Sequence, residues 1–295
     1  MATLVTLGET RTDPSSLEAK RVKLFEILRG LDQALIAYSG GIDSAYLAWA
    51  AQQVLGDRAV AITADSASIP ESHKRDAIAF AKECGFRHEL IDTHEFDNPD
   101  YVKNDANRCF HCKDELFTRL EELGRARGVS AIVYGVNMDD LGDYRPGQRA
   151  AKIHEVKAPL VEAGLYKRDI RELAKQAGLS VWDRPASACL SSRIPYGTAV
   201  TPEVVKTVED GEEAVKALGF RQFRVRYHND LVRLEIDPSE LERALTLPMS
   251  REFTRIFKAL GFQFVTIDLE GYRQGSLNAQ LRQATPESAS GIPAL

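Results

Sequence analysis

No apolar run in the 295-residue sequence approaches the roughly 18 residues that a membrane-spanning helix needs. The start, MATLVTLGETRTDP, lacks the basic end and long apolar centre of a secretory signal, so the expected location is the cytoplasm. Cysteine is scarce, at four residues. A cytosolic compartment keeps thiols reduced, so disulfides are not expected and metal or catalytic use comes first. Positive charge is not in excess: 38 Lys and Arg stand against 43 Asp and Glu, a net charge of −5. That balance argues against a broad nucleic-acid surface and leaves room only for a local basic cleft. There is no Gly-x-x-x-x-Gly-Lys-[Ser/Thr] run, which excludes a Walker A loop, and no internal repeat. Apolar and charged shares of 44% and 27% are those of an ordinary globular chain, and the length suits two domains.

What the chain does have is Ser39-Gly40-Gly41-Ile42-Asp43-Ser44, set between an apolar run at 34–38 and an apolar-periodic stretch. That order predicts strand, glycine turn, helix. Glycines let the backbone approach an anion closely, and the helix start offers unpaired amides and a positive dipole end, so the expected ligand is a phosphate. Around it the sequence alternates: predicted helices over 17–31, 42–55, 70–84, 113–127 and 167–177, and strands over 34–38, 59–64, 87–91 and 131–134, with a short one near Val156. Repeated β-α units imply a parallel sheet with helices on both faces, and a ligand outside the carboxyl ends of its strands. After Trp182 the pattern breaks. An irregular linker at 186–199 leads to a helix over 201–218, a hairpin at 223–227 and 231–236, a further helix and a strand at 264–269, which together read as a small α+β unit over 200–275. The first domain is then 1–185, and 276–295 reads as a disordered tail.

Cys109 and Cys112 form a Cys-x-x-Cys pair ahead of the predicted helix, and Cys189 lies about eighty residues on, in the linker. Three thiolates can hold a 4Fe-4S cluster with one iron open, a zinc site completed by His111, His94 or His228 is a second option, and a bare dithiol redox pair a third. Cys84 shares a helical face with Ala77, Phe80 and Ala81 and reads as core. In Phe223-Arg224-Val225-Arg226-Tyr227 strand alternation puts both guanidiniums on one side, where they suit a phosphate or carboxylate or are balanced by Glu235. Ser191, Ser192 and Arg193 add hydroxyls and a cation beside Cys189. Asp139, Asp140 and Asp143 follow the fourth strand and offer oxygen ligands for Mg²⁺.

With SGGIDS, DYRPG, SSRIPYGT and FRVRYHND in place, the chain resembles the ATP-dependent sulfur transferases of the LarE family through both domains. SGGIDS by itself resembles the PP-loop of ATP pyrophosphatases. The resemblance implies a PP-loop domain followed by an α+β substrate-binding and oligomerisation unit, and a homo-oligomer. It further implies adenylation and then thiolation of pyridinium-3,5-biscarboxylic acid mononucleotide, on the way to a nickel-pincer nucleotide. By position, Ser39, Gly40, Gly41, Asp43 and Ser44, with Ser66, correspond to the ATP site. Cys189, Ser192, Arg193 and Glu212 correspond to the reaction centre, and Arg224 and Arg226 to the grip on the substrate phosphate. Single-cysteine members of the family sacrifice a sulfur at the position of Ala188. This chain, with Cys109, Cys112 and Cys189, is similar to the branch that binds a 4Fe-4S cluster and receives sulfide or another external sulfur donor. A tRNA thiolase and an amide-forming PP-loop ligase are the alternative enzymes; a nucleotide-binding module without chemistry is the alternative class.

Overall fold

The computed structural model describes residues 14–142, 146–185 and 188–273. Asp143, Tyr144 and Arg145 of the DYRPG segment, Ser187, and the tail expected at 276–295 lie outside the described residues.

The α/β alternation is as predicted. Helix α1 (Pro14–Arg29) precedes β1 (Ala34–Ala37), α2 (Ile42–Leu55), β2 (Ala59–Asp65), α3 (Glu71–Cys84) and β3 (Arg87–Asp92). The short α4 (Pro99–Val102) and long α5 (Arg108–Arg127) lead to β4 (Ala131–Tyr134), followed by α6 (Pro146–Ile153), α7 (Pro159–Glu162) and α8 (Lys167–Gln176). The four strands are parallel in the order β3-β2-β1-β4, with Ala34 beside both Ala59 and Ala131. The strand expected near Val156 is reduced to one bridge, Val133 to Lys157, on the outer side of β4.

Every residue of β1 is buried, because it lies between two apolar layers. Leu24, Leu28, Tyr46, Leu47 and Ile170 pack in the layer built from α1, α2 and α8, whereas Phe117, Leu120 and Ala150 of α5 and α6 cover the other face. The chain winds from β1 outward to β3 and then returns to the far side of β1. The crevice at the carboxyl end of β1 is therefore the switch point, and residues 39–44 occupy it.

Helix α9 (Pro202–Ala217) starts as read, with Thr201 Oγ1 accepting from the Val204 amide at 3.4 Å. Strands β5 (Phe223–His228) and β6 (Leu231–Ile236) form the hairpin. After the short α10 (Leu241–Ala244) and α11 (Leu247–Ala259), β7 (Phe264–Ile267) joins β6 in parallel. Phe220, Val225, Leu234, Phe253 and Phe257 make this unit's own core.

One expectation needs correction. Helix α5 begins at Arg108, so Cys109 and Cys112 lie within its first turns rather than ahead of it. Apolar spacing starts only at Leu116, and Asn107 and Asp105 set the helix start through local bonds that such spacing does not register. The irregular segment expected at 186–199 is also well packed. Leu190, Ser191, Arg193 and Ile194 are buried, and Leu190 and Ile194 pack with Tyr101, Val200, Val205 and Val208 in a fourth apolar cluster between the units.

Candidate active site

Gly40 sits at φ +73°, and a Cβ there would come within 3.2 Å of the Ala77 Cβ, so a glycine is needed on both counts. Gly41 is the N-cap of α2 and carries no side chain to cap it, leaving first-turn amides open. Ser44 Oγ donates to Gly41 O at 3.0 Å, accepts from the Ser39 amide at 3.1 Å and meets Ser39 Oγ at 3.1 Å, which fixes the turn. Gly135 completes the seat. A Cβ on it would fall 2.6 Å from the Ser44 nitrogen, so only glycine lets the turn after β4 press against the start of α2.

Asp43 pairs with Lys167 Nζ. Desolvation, partly countered by Lys167 and reinforced by the nearby Asp140, holds its carboxyl above the usual range. Its Oδ1 is buried with no hydrogen-bond partner among the described residues. Asp139 and Asp140 accept backbone N–H bonds from Lys167 and Asn137 at 2.7 and 3.1 Å. Ser66 is buried, and its hydroxyl is engaged with Glu95 and, at 2.8 Å, with Ser68 Oγ.

A cleft of about 620 Å³ opens from Ser39, Gly40 and Gly41 across to Arg193, Glu212 and Arg224. Arg193 is 2% exposed, yet its cation is fully engaged. It forks onto Glu212 (2.8 and 3.1 Å), donates to the carbonyls of Ala188 and Cys189 (2.8 and 2.9 Å) and reaches Ser192 Oγ at 3.0 Å. Ser192 Oγ in turn donates to Cys189 O at 2.7 Å, and Glu212 also accepts from the Val225 amide at 3.3 Å. Arg193 and Glu212 thus shape the loop that carries Cys189 and tie it to α9 and β5.

The two strand arginines share a face but differ in their surroundings. Arg226 is buried, bonded to Glu235 (2.8 Å) and to Ser192 O (2.9 Å), and Arg233 holds the other oxygen of Glu235 at 3.0 Å. Arg224 lines the cleft, with its guanidinium 4.9 Å from the Tyr272 ring centroid and Nη1 on Phe223 O. Burial, with Arg193 nearby, lowers its proton affinity below the ordinary arginine value.

Cys109, Cys112 and Cys189 are free thiols; Cys112 packs against the cluster of Tyr101 and Leu190, and Cys109 and Cys189 act electrostatically on Arg108. Desolvation pushes the Cys109 and Cys112 thiols up, with the thiol of Cys189 adding to each. Among the described residues no three or more His, Cys, Asp or Glu side chains converge as a group for a single metal ion, and His94, His111 and His228 complete none. Cys84 packs against the first core and is pushed up to about 11 by burial, as a core thiol should be.

Several cleft residues escaped the sequence reading, among them Arg184, His73 and Glu209. Arg184 donates to Gly40 O at 3.1 Å, although Asp183-Arg184-Pro185 read only as a break. His73 and Glu209 also line the cleft, and Glu209 accepts from the Glu71 amide at 2.6 Å, capping α3 from the second unit. The available signal was position: Arg184 belongs to a connecting loop, where binding residues concentrate.

A family model described as NAD synthase matches residues 27–141. An uncharacterized protein of Synechocystis is 44% identical over 265 residues, covering 90% of this chain and 99% of that protein. Pyridinium-3,5-bisthiocarboxylic acid mononucleotide synthase of Lactiplantibacillus plantarum is 33% identical over 272 residues, 92% of this chain and 98% of the relative. An uncharacterized protein of Methanocaldococcus jannaschii is 30% identical over 239 residues, 81% and 90% of the two chains. A parallel sheet with a double-glycine turn and an uncapped helix at its switch point, followed by a small mixed-sheet unit, defines a PP-loop protein. Within that class the chain belongs to the LarE family, to which the Lactiplantibacillus synthase belongs.

Proposed function

We propose that the chain is an ATP-dependent sulfurtransferase acting on pyridinium-3,5-biscarboxylic acid mononucleotide, as the name of its Lactiplantibacillus relative suggests. The observation that carries this reading is the cleft itself. It joins the glycine turn at 39–41 and the uncapped start of α2 to Arg224 along a wall formed by the loop that bears Cys189.

In this reading the substrate carboxylate attacks the α-phosphorus of ATP and expels pyrophosphate, converting a poor electrophile into an acyl adenylate. The amides of Gly40, Gly41 and the first turn of α2 offset charge developing on the phosphates, and Arg184, fixed on Gly40 O, adds a cation beside them. Arg224 holds the phosphate end of the substrate, while Arg226 braces that strand against Ser192. Hydrosulfide then adds to the acyl carbon, and the collapse of that adduct releases AMP and leaves a thiocarboxylate. The sequence is redox-neutral.

Mg²⁺ suits the buried carboxylate of Asp43, a hard oxygen donor at the glycine turn, with Asp140 nearby. The thiols fit an iron-sulfur cluster by donor chemistry. They are three soft sulfur donors that act on one another electrostatically. Cys109, Cys112 and Cys189 would hold an iron-sulfur cluster, which would supply Lewis-acid activation of a sulfur nucleophile when bound. The reading extends to the two-domain division at 185 and 200, to self-association through 200–275, and to a cytoplasmic location. Among the described residues no helix is long and apolar enough to cross a membrane.

Exchange of labelled pyrophosphate into ATP, run without a sulfur donor, tests the adenylation step. Exchange is expected only with the pyridinium mononucleotide present. Exchange supported by bulk tRNA, or by no acceptor at all, contradicts the reading.

A further inference from the structure

The three thiols come from two distant stretches of chain, and a buried polar knot joins those stretches. Asn104, fully buried and left-handed at φ +59°, donates from its amide to Pro195 O and Thr198 O, both at 2.8 Å. Its Oδ1 accepts from Arg108 Nη1 at 2.6 Å, and the same Nη1 donates to Ser191 O at 2.8 Å. Ser191 Oγ meets Tyr101 Oη at 2.7 Å, and both residues are buried. Arg108 is 3% exposed, an expensive burial for a cation unless it is paired or faces negative charge. It donates to an amide oxygen and a backbone carbonyl, and its guanidinium sits 5.6 Å from the Tyr196 ring centroid. The thiols of Cys109 and Cys189 lie within its electrostatic reach, as do the hydroxyls of Tyr101 and Tyr196.

We propose that Arg108, locked by Asn104, is the positioning residue that holds Cys189 against Cys109 and supplies the fixed positive charge of the thiol pocket. Arg108 directly precedes Cys109, and Ser191 is two residues beyond Cys189. One guanidinium hydrogen bond therefore spans the two sulfur-bearing segments next to both thiols. The inference rests on the sulfur-transfer reading above but concerns the empty protein.

The test removes Cys84 and Cys112 by substitution with serine, leaving Cys109 and Cys189 as the only thiols of four. Dibromobimane, which fluoresces only after alkylating two thiols, is applied anaerobically to metal-stripped full-length protein. The parent should form an intramolecular Cys109–Cys189 adduct, identified by peptide mapping. Arg108→Gln and Asn104→Gly should lower its yield at least about fivefold, because proximity sets the second alkylation. Asn104→Gly keeps the left-handed backbone available, and Arg108→Lys, which retains the charge, should restore part of the yield. Native far-UV circular dichroism is expected in all variants. Adduct yields within twofold of the parent in Arg108→Gln and Asn104→Gly, or unfolding of all three variants, would overturn the positioning role and leave the sulfur-transfer reading standing. Absence of the adduct in the parent itself would instead remove the shared thiol pocket on which both depend.

Discussion

Arg193 and Arg224 look alike in the sequence and do different work in the fold. Arg193 makes a two-pronged contact with Glu212 and closes the loop on the Cys189 carbonyl, so its donors are used inside the protein. Arg224 faces the cleft. Arg193→Ala leaves Glu212 without its buried partner and should cost about 3–5 kcal/mol of stability, read by urea denaturation. Arg224→Ala should cost less than about 1 kcal/mol in that measurement. It should instead raise KM for the pyridinium substrate at least about tenfold, a loss of about 1.4 kcal/mol in binding. Equal stability losses in the two variants would contradict this division. Residue types and chain neighbourhood made the candidates legible, including both strand arginines and Glu235. Which cation is free was not legible, since that depends on partners such as Glu212, nineteen positions from Arg193.

Among the elements, the strands and the glycine turn were readable because period-2 and 3.6 patterns and Gly-Gly act locally. The start of α5 was not, because its first turn carries thiols, a histidine and a buried arginine in place of an apolar stripe. The opposite side of α5 holds a titrating contact. His154, at the end of α6, sits between Glu121 Oε1 (2.8 Å) and Asp114 Oδ1 (3.0 Å) of α5. Burial works against its charge, but the hydrogen bonds to Asp114 and Glu121 outweigh burial and raise its pKa above the ordinary histidine value. A raised folded-state value means that the contact stabilises fully below the unfolded pKa of about 6.5 and loses that contribution as pH rises through the higher folded value. The stability deficit of His154→Gln should accordingly be larger at about pH 6 than at about pH 9 in paired denaturation curves. A deficit that grows with pH would show that the imidazole is not held as the cation.

At the scale of the whole molecule, the linker is the feature that the sequence understated. Its serines, glycine and proline read as irregular connection, while Leu190 and Ile194 seal a core between the units and Glu209 reaches across to cap α3. The long-range partners of such a segment have no periodic signature, so only the folded chain reveals that it is built as a wall of the cleft. Two units meeting over one cleft suit a reaction with two large substrates, ATP on one side and a phosphorylated acceptor on the other. The most direct test follows both products in one anaerobic reaction of the full-length protein with ATP, Mg²⁺, pyridinium-3,5-biscarboxylic acid mononucleotide and sulfide. AMP, pyrophosphate and the thiocarboxylate should accumulate together, one AMP for each carboxylate converted, and nucleotide cleavage should stop when the pyridinium substrate is omitted. Formation of ADP and phosphate, or AMP release indifferent to that substrate, would contradict ATP-dependent sulfur transfer.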